Sequence, residues 1–443
     1  MMSTQPARGM RDFLPEDVRR RDYVVGVIRE VYDRYGFEPL ETPAAENIET
    51  LLGKYGEEGN KLVFKILKRG EHEASGQADL ALRYDLTVPF ARVVAEYQAR
   101  LPKIFKRYQI QPVWRADRPA RGRFREFYQC DIDTIGSTSV LVEVELLAAA
   151  GEVMTTLGFK DFTVRLNDRR LLTALLTTAG VPSGSHADAL TALDKLDKIG
   201  VDGVVKEFEM RGIDAAATGT CMELFAAGTG MSADETCSRL EAFLGKRDAI
   251  EPIHKIWSMA QATPAAGHVR IDPSLARGLS YYTGAIMEIT VPDLPGSLGG
   301  GGRYDNLVGM FLGSEVPACG FSLGLERILV VMHERGMFPA HVDQSFVDVV
   351  VAAIDENAQA AALETATELR KAGTLRVDLY PDVAKKMDKI FKYVDQRKAR
   401  YIAILGGNEV ADGTVSLRNV ATRTQETVGR ADAARAIRPL RMP

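Results

Sequence analysis

The hydrophobic pattern divides the chain into stretches of different period. From Pro15 to Tyr35, Val18, Val24, Ile28, Val31 and Tyr32 recur at helical spacing, with Gly36 as the stop. An extended piece, FEPLETP, follows and ends at Pro43. Leu62, Phe64 and Ile66 alternate with polar neighbours, as do Leu80 and Leu82 after a Gly-containing loop, which predicts a hairpin leading into a helix near Val88. Two longer alternating runs, Ile104 to Arg115 and Arg123 to Ile135, flank a loop holding Asp117, Pro119 and Gly122. They predict a long antiparallel hairpin. A helix from Leu141 to Leu157 and a strand from Phe162 to Leu166 come next.

Residues from about 168 to 262 change character, becoming Ala- and Leu-rich, helix-patterned and broken by turns such as VPSGS and AAGTG. Strand pattern resumes at His268. The stretch from Glu334 to Gln344 has Gly, Pro and no period, and reads as a linker. Beyond it come strand (Phe346 to Ile354), helix (Asn357 to Ala372), strand (Leu375 to Tyr380), helix (Val383 to Lys398) and strand (Tyr401 to Leu405). Such alternation predicts an α/β domain with a mostly parallel sheet.

Length and composition leave this picture standing. The 443 residues suffice for two or three domains, and 46% apolar with 26% charged residues is ordinary for a globular protein. A net charge of -4 gives no global pull on nucleic acid, so any such contact must be local. Residues 345–443 hold 16 Lys and Arg against 13 Asp and Glu, so the positive excess lies at that end. Cys130, Cys221, Cys237 and Cys319 form no CxxC pair, which argues against a zinc or disulfide framework and suits a reducing compartment. The first residues lack an apolar signal core and no stretch reaches transmembrane length, so the expected location is cytoplasmic.

The candidate chemistry gathers on the long hairpin. It carries Arg115, Arg118, Arg121, Arg123 and Arg125, and its second strand ends in Gln129, Asp131 and Asp133. Guanidinium forks suit phosphate oxygens, and a carboxylate beside an amide suits an ammonium group. One hairpin thus offers an anion site next to a cation site. The same spacing also fits a solvated surface ribbon. Asp85, just ahead of the helix near Val88, has the placement of an N-terminal cap. Gly299 to Gly302 would let a backbone approach a ligand closely, or form a flexible turn. Lys385, Lys389 and Lys392 share one helix face, while Met387, Ile390, Phe391 and Val394 share another. That stripe reads as a solvated face. None of the six histidines lies in these stretches, which disfavours a His-based or metal-hydrolase site.

The wording of the stretches goes further. VWRADRPARGRFREFYQ resembles motif 2 of class II aminoacyl-tRNA synthetases, and FYQCDID resembles its histidyl form. The first helix with FEPLETP resembles motif 1, the family's dimer interface, and PACGFSLGLERI resembles motif 3. LRYDLT, RGLSYYTG and GGGRYD are similar to histidyl-tRNA synthetases, in the right order along nearly the whole chain. The resemblance implies an α+β architecture: a class II synthetase antiparallel-sheet catalytic core (1–167 and 263–335), a helical insertion domain (168–262) lying against the tRNA acceptor stem, a linker (336–345), and a C-terminal α/β anticodon-binding domain (346–443). It implies ATP-dependent, AMP-forming histidine–tRNA ligation, with L-histidine, ATP accompanied by Mg²⁺, and tRNA(His) as partners and a homodimer as the assembly.

Site roles carried by the same resemblance are as follows. Arg115 and Arg277 would reach the α-phosphate, Arg123 the terminal phosphates and Arg327 the γ-phosphate. Gln129 and Asp133 would receive the amino and carboxylate end of histidine, with Thr87 by the amino group. Asp85 and Tyr282 would bind the imidazole, and Tyr281 would help line the pocket. Arg118, Arg121, Lys385, Lys389 and Lys392 would touch tRNA. The family usually has Asp where this chain has Ser280. An inactive regulatory subunit of ATP phosphoribosyltransferase, on the same fold, is disfavoured by Arg115, Arg277, Arg327 and the C-terminal domain. A class IIa enzyme for threonine, proline or glycine is disfavoured by RGLSYYTG and GGGRYD.

Overall fold

The computed structural model describes residues 4–70, 75–226, 230–276, 281–343, 347–383 and 386–437. Two compact units emerge, Met1–Met337 and Phe338–Pro443. In the first, the helix Pro15–Arg34 begins with Pro and two acids, Glu16 and Asp17, in its first turn. Acids there face the positive end of the helix dipole. It buries Val24, Ile28, Val31 and Tyr32, as its spacing requires.

The extended piece after it is paired over two residues only, β1 (Glu38–Pro39), because proline supplies no donor to continue a ladder. β2 (Ala45–Asn47), β3 (Lys65–Leu67) and β4 (Ala78–Leu82) make a small antiparallel sheet in the order β2-β4-β3. The anticipated hairpin is thus present, with a third strand that the pattern did not announce. The helix Thr87–Tyr97 follows, then β5 (Phe105–Trp114) and β6 (Glu126–Ile135), ten residues each and paired antiparallel along their full length. The helix Leu141–Thr156 and β7 (Thr163–Asp168) precede, among the described residues, six α-helices from Arg169–Thr178 to Glu251–Ala260. The strand pattern then resumes with β8 (Val269–Ile271) and β9 (Ala285–Thr290).

The glycine run is neither loop nor turn. It forms β10 (Gly299–Arg303), between β9 and β11 (Ala318–Gly324), and the helix Leu325–Glu334 follows β11. The large sheet has the order β1-β5-β6-β11-β10-β9-β7-β8, antiparallel throughout its middle and parallel only at the two edge pairs. Glycine propensity argues against a strand. Space decides otherwise: a Cβ at Gly301 would collide with the carbonyl of Gly320, and one at Gly320 with the carboxylate of Asp133.

The second unit has β12 (Val349–Ala353), β13 (Val377–Leu379), β14 (Tyr401–Leu405), β15 (Thr414–Asn419) and β16 (Gln425–Gly429), in the order β13-β12-β14-β15-β16. Val349 and Val351 face a core that includes Ala362, Ala366 and Leu369 of the helix Gln359–Lys371. Val350 and Ala352 face Ile390 and Val394 of the helix Met387–Gln396. A strand covered on both sides is apolar throughout, hence VVVAA. The expectation of a mostly parallel sheet needs correcting: two pairings are parallel and two antiparallel. The last two strands are joined by a short turn, which permits only the antiparallel arrangement. No helix among the described residues is long and apolar enough to cross a membrane.

Replacing Gly301 with Ala should destabilise the first unit by about 1–3 kcal/mol, as overpacking a tight core does. Thermal unfolding followed by near-UV circular dichroism would register a lower midpoint for that unit. An unchanged midpoint would mean the strand relaxes to admit a Cβ.

Candidate active site

The pleat of β6 sends Gln129, Asp131 and Asp133 to one face. Its opposite face holds the buried Cys130 and Ile132, and the Tyr32 hydroxyl donates to the Cys130 carbonyl at 3.1 Å. Across the ladder to β5 stand Gln111, Gln109 and Arg107; across to β11 stand Gly324, Ser322 and Gly320. Three strands therefore bring polar or glycine positions into register. Over them lies a cavity of about 160 Å³, an order of magnitude more than one water needs. Asp85, Thr87, Arg115, Gln129, Asp133, Tyr281, Tyr282 and Arg327 all line it.

Arg107 is fully buried beneath this floor. It donates to Gln109 Oε1 at 3.0 Å and to the Leu86 carbonyl at 3.3 Å, and lies 4.3 Å from the centre of the Phe90 ring. Its Nη2 is also 2.7 Å from Asp133 Oδ2, but Asp133 Oδ2 receives no aligned N–H, so the two meet as an ion pair rather than a hydrogen bond. The other oxygen of Asp133 accepts from the Tyr304 hydroxyl. Asp85 accepts from the Tyr55 hydroxyl (3.1 Å) and from the Val88 amide (3.0 Å). Asp85 therefore caps the helix Thr87–Tyr97 and lines the cavity at once. Burial raises the pKa of Asp85 and of Asp133, and pushes Asp131 up to about 7. Gln129 donates to Ser322 Oγ at 2.8 Å. Three acceptors, Gln129 Oε1, Asp131 Oδ1 and Asp133 Oδ2, are buried with no hydrogen-bond donor among the described residues. A floor of that kind asks for a cationic, donor-rich guest.

The arginines lie to one side of the floor or outside the cavity. Arg115 donates through Nε to the Tyr84 carbonyl at 2.9 Å and sits between the Tyr84 and Phe127 rings, 4.3 and 5.1 Å from their centres. Arg327 donates to the Pro295 carbonyl, and burial lowers its pKa, as does the like charge of Arg123. Glu326 is not its partner. That carboxyl is buried, accepts from the Tyr128 amide at 2.8 Å and lies 3.8 Å from Arg11. Arg123 is not among the residues lining the cavity; it stands on the hairpin loop, 3.8 Å from Asp117, about half exposed. Arg118 is exposed, and Arg121 reaches Glu334 and the Asp293 carbonyl. Lys389 and Lys392 are exposed on the helix Met387–Gln396, whose buried side holds Ile390 and Val394. Arg277, Ser280 and Lys385 lie outside the described residues.

A family model described as histidyl-tRNA synthetase matches residues 9–328, and one described as anticodon binding domain matches residues 348–440. The chain belongs to the histidyl-tRNA synthetase family. It is 41% identical to a histidine–tRNA ligase of Gloeobacter violaceus over 97% of both chains, and 39% identical to one of Christiangramia forsetii over 96% of this chain and 98% of that one. Among solved structures it superposes on a histidyl-tRNA synthetase from Nostoc sp. PCC 7120 with a TM-score of 0.79, at 29% identity and 99% coverage of both chains. The fold is shared as well with a Bacillus halodurans protein described as an ATP phosphoribosyltransferase regulatory subunit/histidyl-tRNA synthetase, at a TM-score of 0.73 and 20% identity over 92% of this chain and 99% of that one.

Within this synthetase fold, several groups of the site escape motif reading. Arg107 looks like one more polar residue on an alternating strand, and only the register places it opposite Asp133. Tyr55 sits in a stretch with no period, yet its hydroxyl meets Asp85. Tyr304 was visible within GGGRYD without a role. The neighbouring Arg303 proves to be a buried brace, donating to Glu143 at 2.6 and 2.8 Å.

Asp131 and Glu326 both have their pKa pushed up to about 7, chiefly by burial. A carboxyl raised in the folded state contributes stability that is complete below its unfolded pKa and is lost as pH rises through the folded one. The ligand-free protein should therefore lose stability from about pH 5 to pH 8, and Glu326→Gln, which keeps an acceptor for the Tyr128 amide, should flatten part of that slope. A series of unfolding curves across this range checks it; a slope of the opposite sign would contradict the burial account.

Proposed function

We propose that the chain is a histidine–tRNA ligase: it activates L-histidine with ATP to histidyl-adenylate and pyrophosphate, then passes histidine to the 3′ end of tRNA(His). The observation that carries this reading is the set of three buried acceptors on the floor of the cavity that receive no hydrogen bond among the described residues, Asp133 Oδ2 being ion-paired with Arg107, together with an arginine at each of two positions along the lining. Such a floor matches the three N–H groups of an α-ammonium, and the arginines match phosphates.

On this reading Gln129 and Asp133 hold the amino end of histidine, with Thr87 beside it. Asp85 and Tyr282 take the imidazole, whose two nitrogens need different partners, and Tyr281 closes the wall. Arg115 and Arg277 neutralise the α-phosphate, Arg123 the terminal phosphates and Arg327 the γ-phosphate. The histidine carboxylate attacks the α-phosphorus, a P–O bond forms, and the bond to pyrophosphate breaks. A tRNA terminal hydroxyl then attacks the carbonyl and AMP leaves. Neither step needs a protein nucleophile; both need alignment and stabilisation of charge. Mg²⁺ would accompany ATP, held mainly by phosphate oxygens and water, as this ion prefers. Arg118, Arg121, Lys385, Lys389 and Lys392 are proposed contacts for tRNA, the protein a homodimer, and its location cytoplasmic.

Pyrophosphate exchange into ATP, assayed with each of the twenty amino acids, should proceed with histidine alone. Arg115→Ala should slow it by about a hundredfold or more, the usual cost of removing a charge-stabilising group. Exchange with no amino acid, from folded protein that binds histidine, would point to a regulatory relative instead.

Reversing Lys389 and Lys392 to Glu should weaken charging of tRNA by about tenfold and reduce its salt dependence, as loss of phosphate contacts does. Exchange should persist in that variant. If exchange falls in parallel with charging while the fold is retained, the division of labour between the two units is wrong.

A further inference from the structure

On the histidine reading, Gln129 and Asp133 hold the amino end of the amino acid, while the third group of the same floor, Asp131, has no stated share in recognition. Asp131 lies between Gln129 and Asp133 on the same face of β6, is 2% exposed, and lines the cavity. The Ser322 hydroxyl donates to its carboxyl, but Oδ1 has no hydrogen-bond partner among the described residues. The groups bearing on it come from every side: Arg107 and Gln109 on β5, Asp133 on β6, Ser322 on β11, and Asp85 ahead of the helix Thr87–Tyr97. Arg107 is already engaged by Asp133 at 2.7 Å. Arg115 adds its charge to Asp85, but Asp131 and Asp133 share the one buried cation, and ionised carboxylates without matching charge are costly away from water. Burial accordingly raises the pKa of Asp85, Asp131 and Asp133.

The geometry points to Asp131 as a further specificity-determining residue, a second carboxylate that acts with Asp133 to make the pocket demand an α-ammonium group on its ligand. The inference rests on the amino-acid reading of the cavity. Deamino-histidine (imidazolepropionate) keeps the imidazole and the carboxylate but brings no ammonium. A site built around a charged donor rejects a ligand lacking it, because its own buried groups then stay unpaired. The ammonium also favours the ionised form of Asp131, which otherwise holds a proton below about pH 7. Histidine binding in mildly acidic solution thus drives a proton out of the pocket, and affinity falls as pH falls.

Titration calorimetry of L-histidine and of deamino-histidine, with the wild-type chain and with Asp131→Asn, tests this. At about pH 8 the wild type should prefer histidine by about a hundredfold or more. Asp131→Asn should weaken histidine by about tenfold or more and leave deamino-histidine unchanged or tighter. A merely structural role would weaken both ligands alike, and that result, or an unchanged ratio, overturns the proposal. Proton release gives a second reading on the wild type alone, from heats in buffers of differing ionisation enthalpy near pH 6.5. After subtraction of the protons that each free ligand's own imidazole holds at that pH, since loss of the ammonium makes the ring more basic, histidine should release more protons than deamino-histidine; equal corrected release overturns the proposal even if the variant fails to fold. A wild type that binds neither ligand, or both equally, instead overturns the amino-acid reading, and the role of Asp131 with it.

Discussion

The burial of Arg107 constrains much of the first unit. A guanidinium that cannot be deprotonated, shut away from water, must be surrounded by acceptors and at least one negative charge. Asp133, Gln109 and the Leu86 carbonyl supply them, and each is fixed in turn. Asp133 needs Gly320 opposite, since any side chain there would occupy its carboxylate, and Tyr304 beside it. Tyr304 ends the glycine strand, and Gly301 is required by the carbonyl of Gly320. One buried cation thus propagates a requirement across three strands.

The balance of charge above it explains why the cavity persists as a polar hollow. Asp85, Asp131 and Asp133 together outnumber Arg107, and a hydrophobic side chain closing over them would leave acceptors stranded. Arg115 stands at the other side of the hollow, oriented by the Tyr84 carbonyl and two aromatic rings. Positive and negative groups are thus held apart by rigid strands, which is how a protein keeps opposite charges from neutralising each other before a ligand arrives.

How much of this was legible in the sequence varies with the kind of interaction. The hairpin β5 and β6 was, because alternation over ten residues leaves little choice of register. The helix Pro15–Arg34 was legible from its strong period between clear stops, and the strand Tyr401–Leu405 from an unbroken apolar run in a strand–helix alternation. The strand Gly299–Arg303 was not, since its conformation is dictated by backbone approaching from neighbouring strands rather than by its own residues. Motif wording named eight residues that line the cavity and left Asp131 without a role, and it passed over Arg107 and Tyr55. Those matter through partners far away in sequence, and a single sequence carries no record of such pairs. The helix bearing Lys389 and Lys392 is shorter than its pattern suggested, beginning at Met387. The last two strands of the second unit carried too few apolar positions to stand out.

The order of strands in the large sheet bears on how the chain is made. β5 and β6 can close as a hairpin soon after both leave the ribosome, but β6 is also the neighbour of β11, which follows about 180 residues later. At the ordinary pace of synthesis that edge waits on the order of ten seconds or more with its amides unpaired. An exposed edge is a template for wrong pairing, and inward-pointing charges are among the devices that blunt one. Gln129, Asp131 and Asp133 stand on that edge strand, and a polar, charged row of this kind resists desolvation by a wrong partner. The residues that make the finished floor polar are thus also those that keep the half-built sheet in solution.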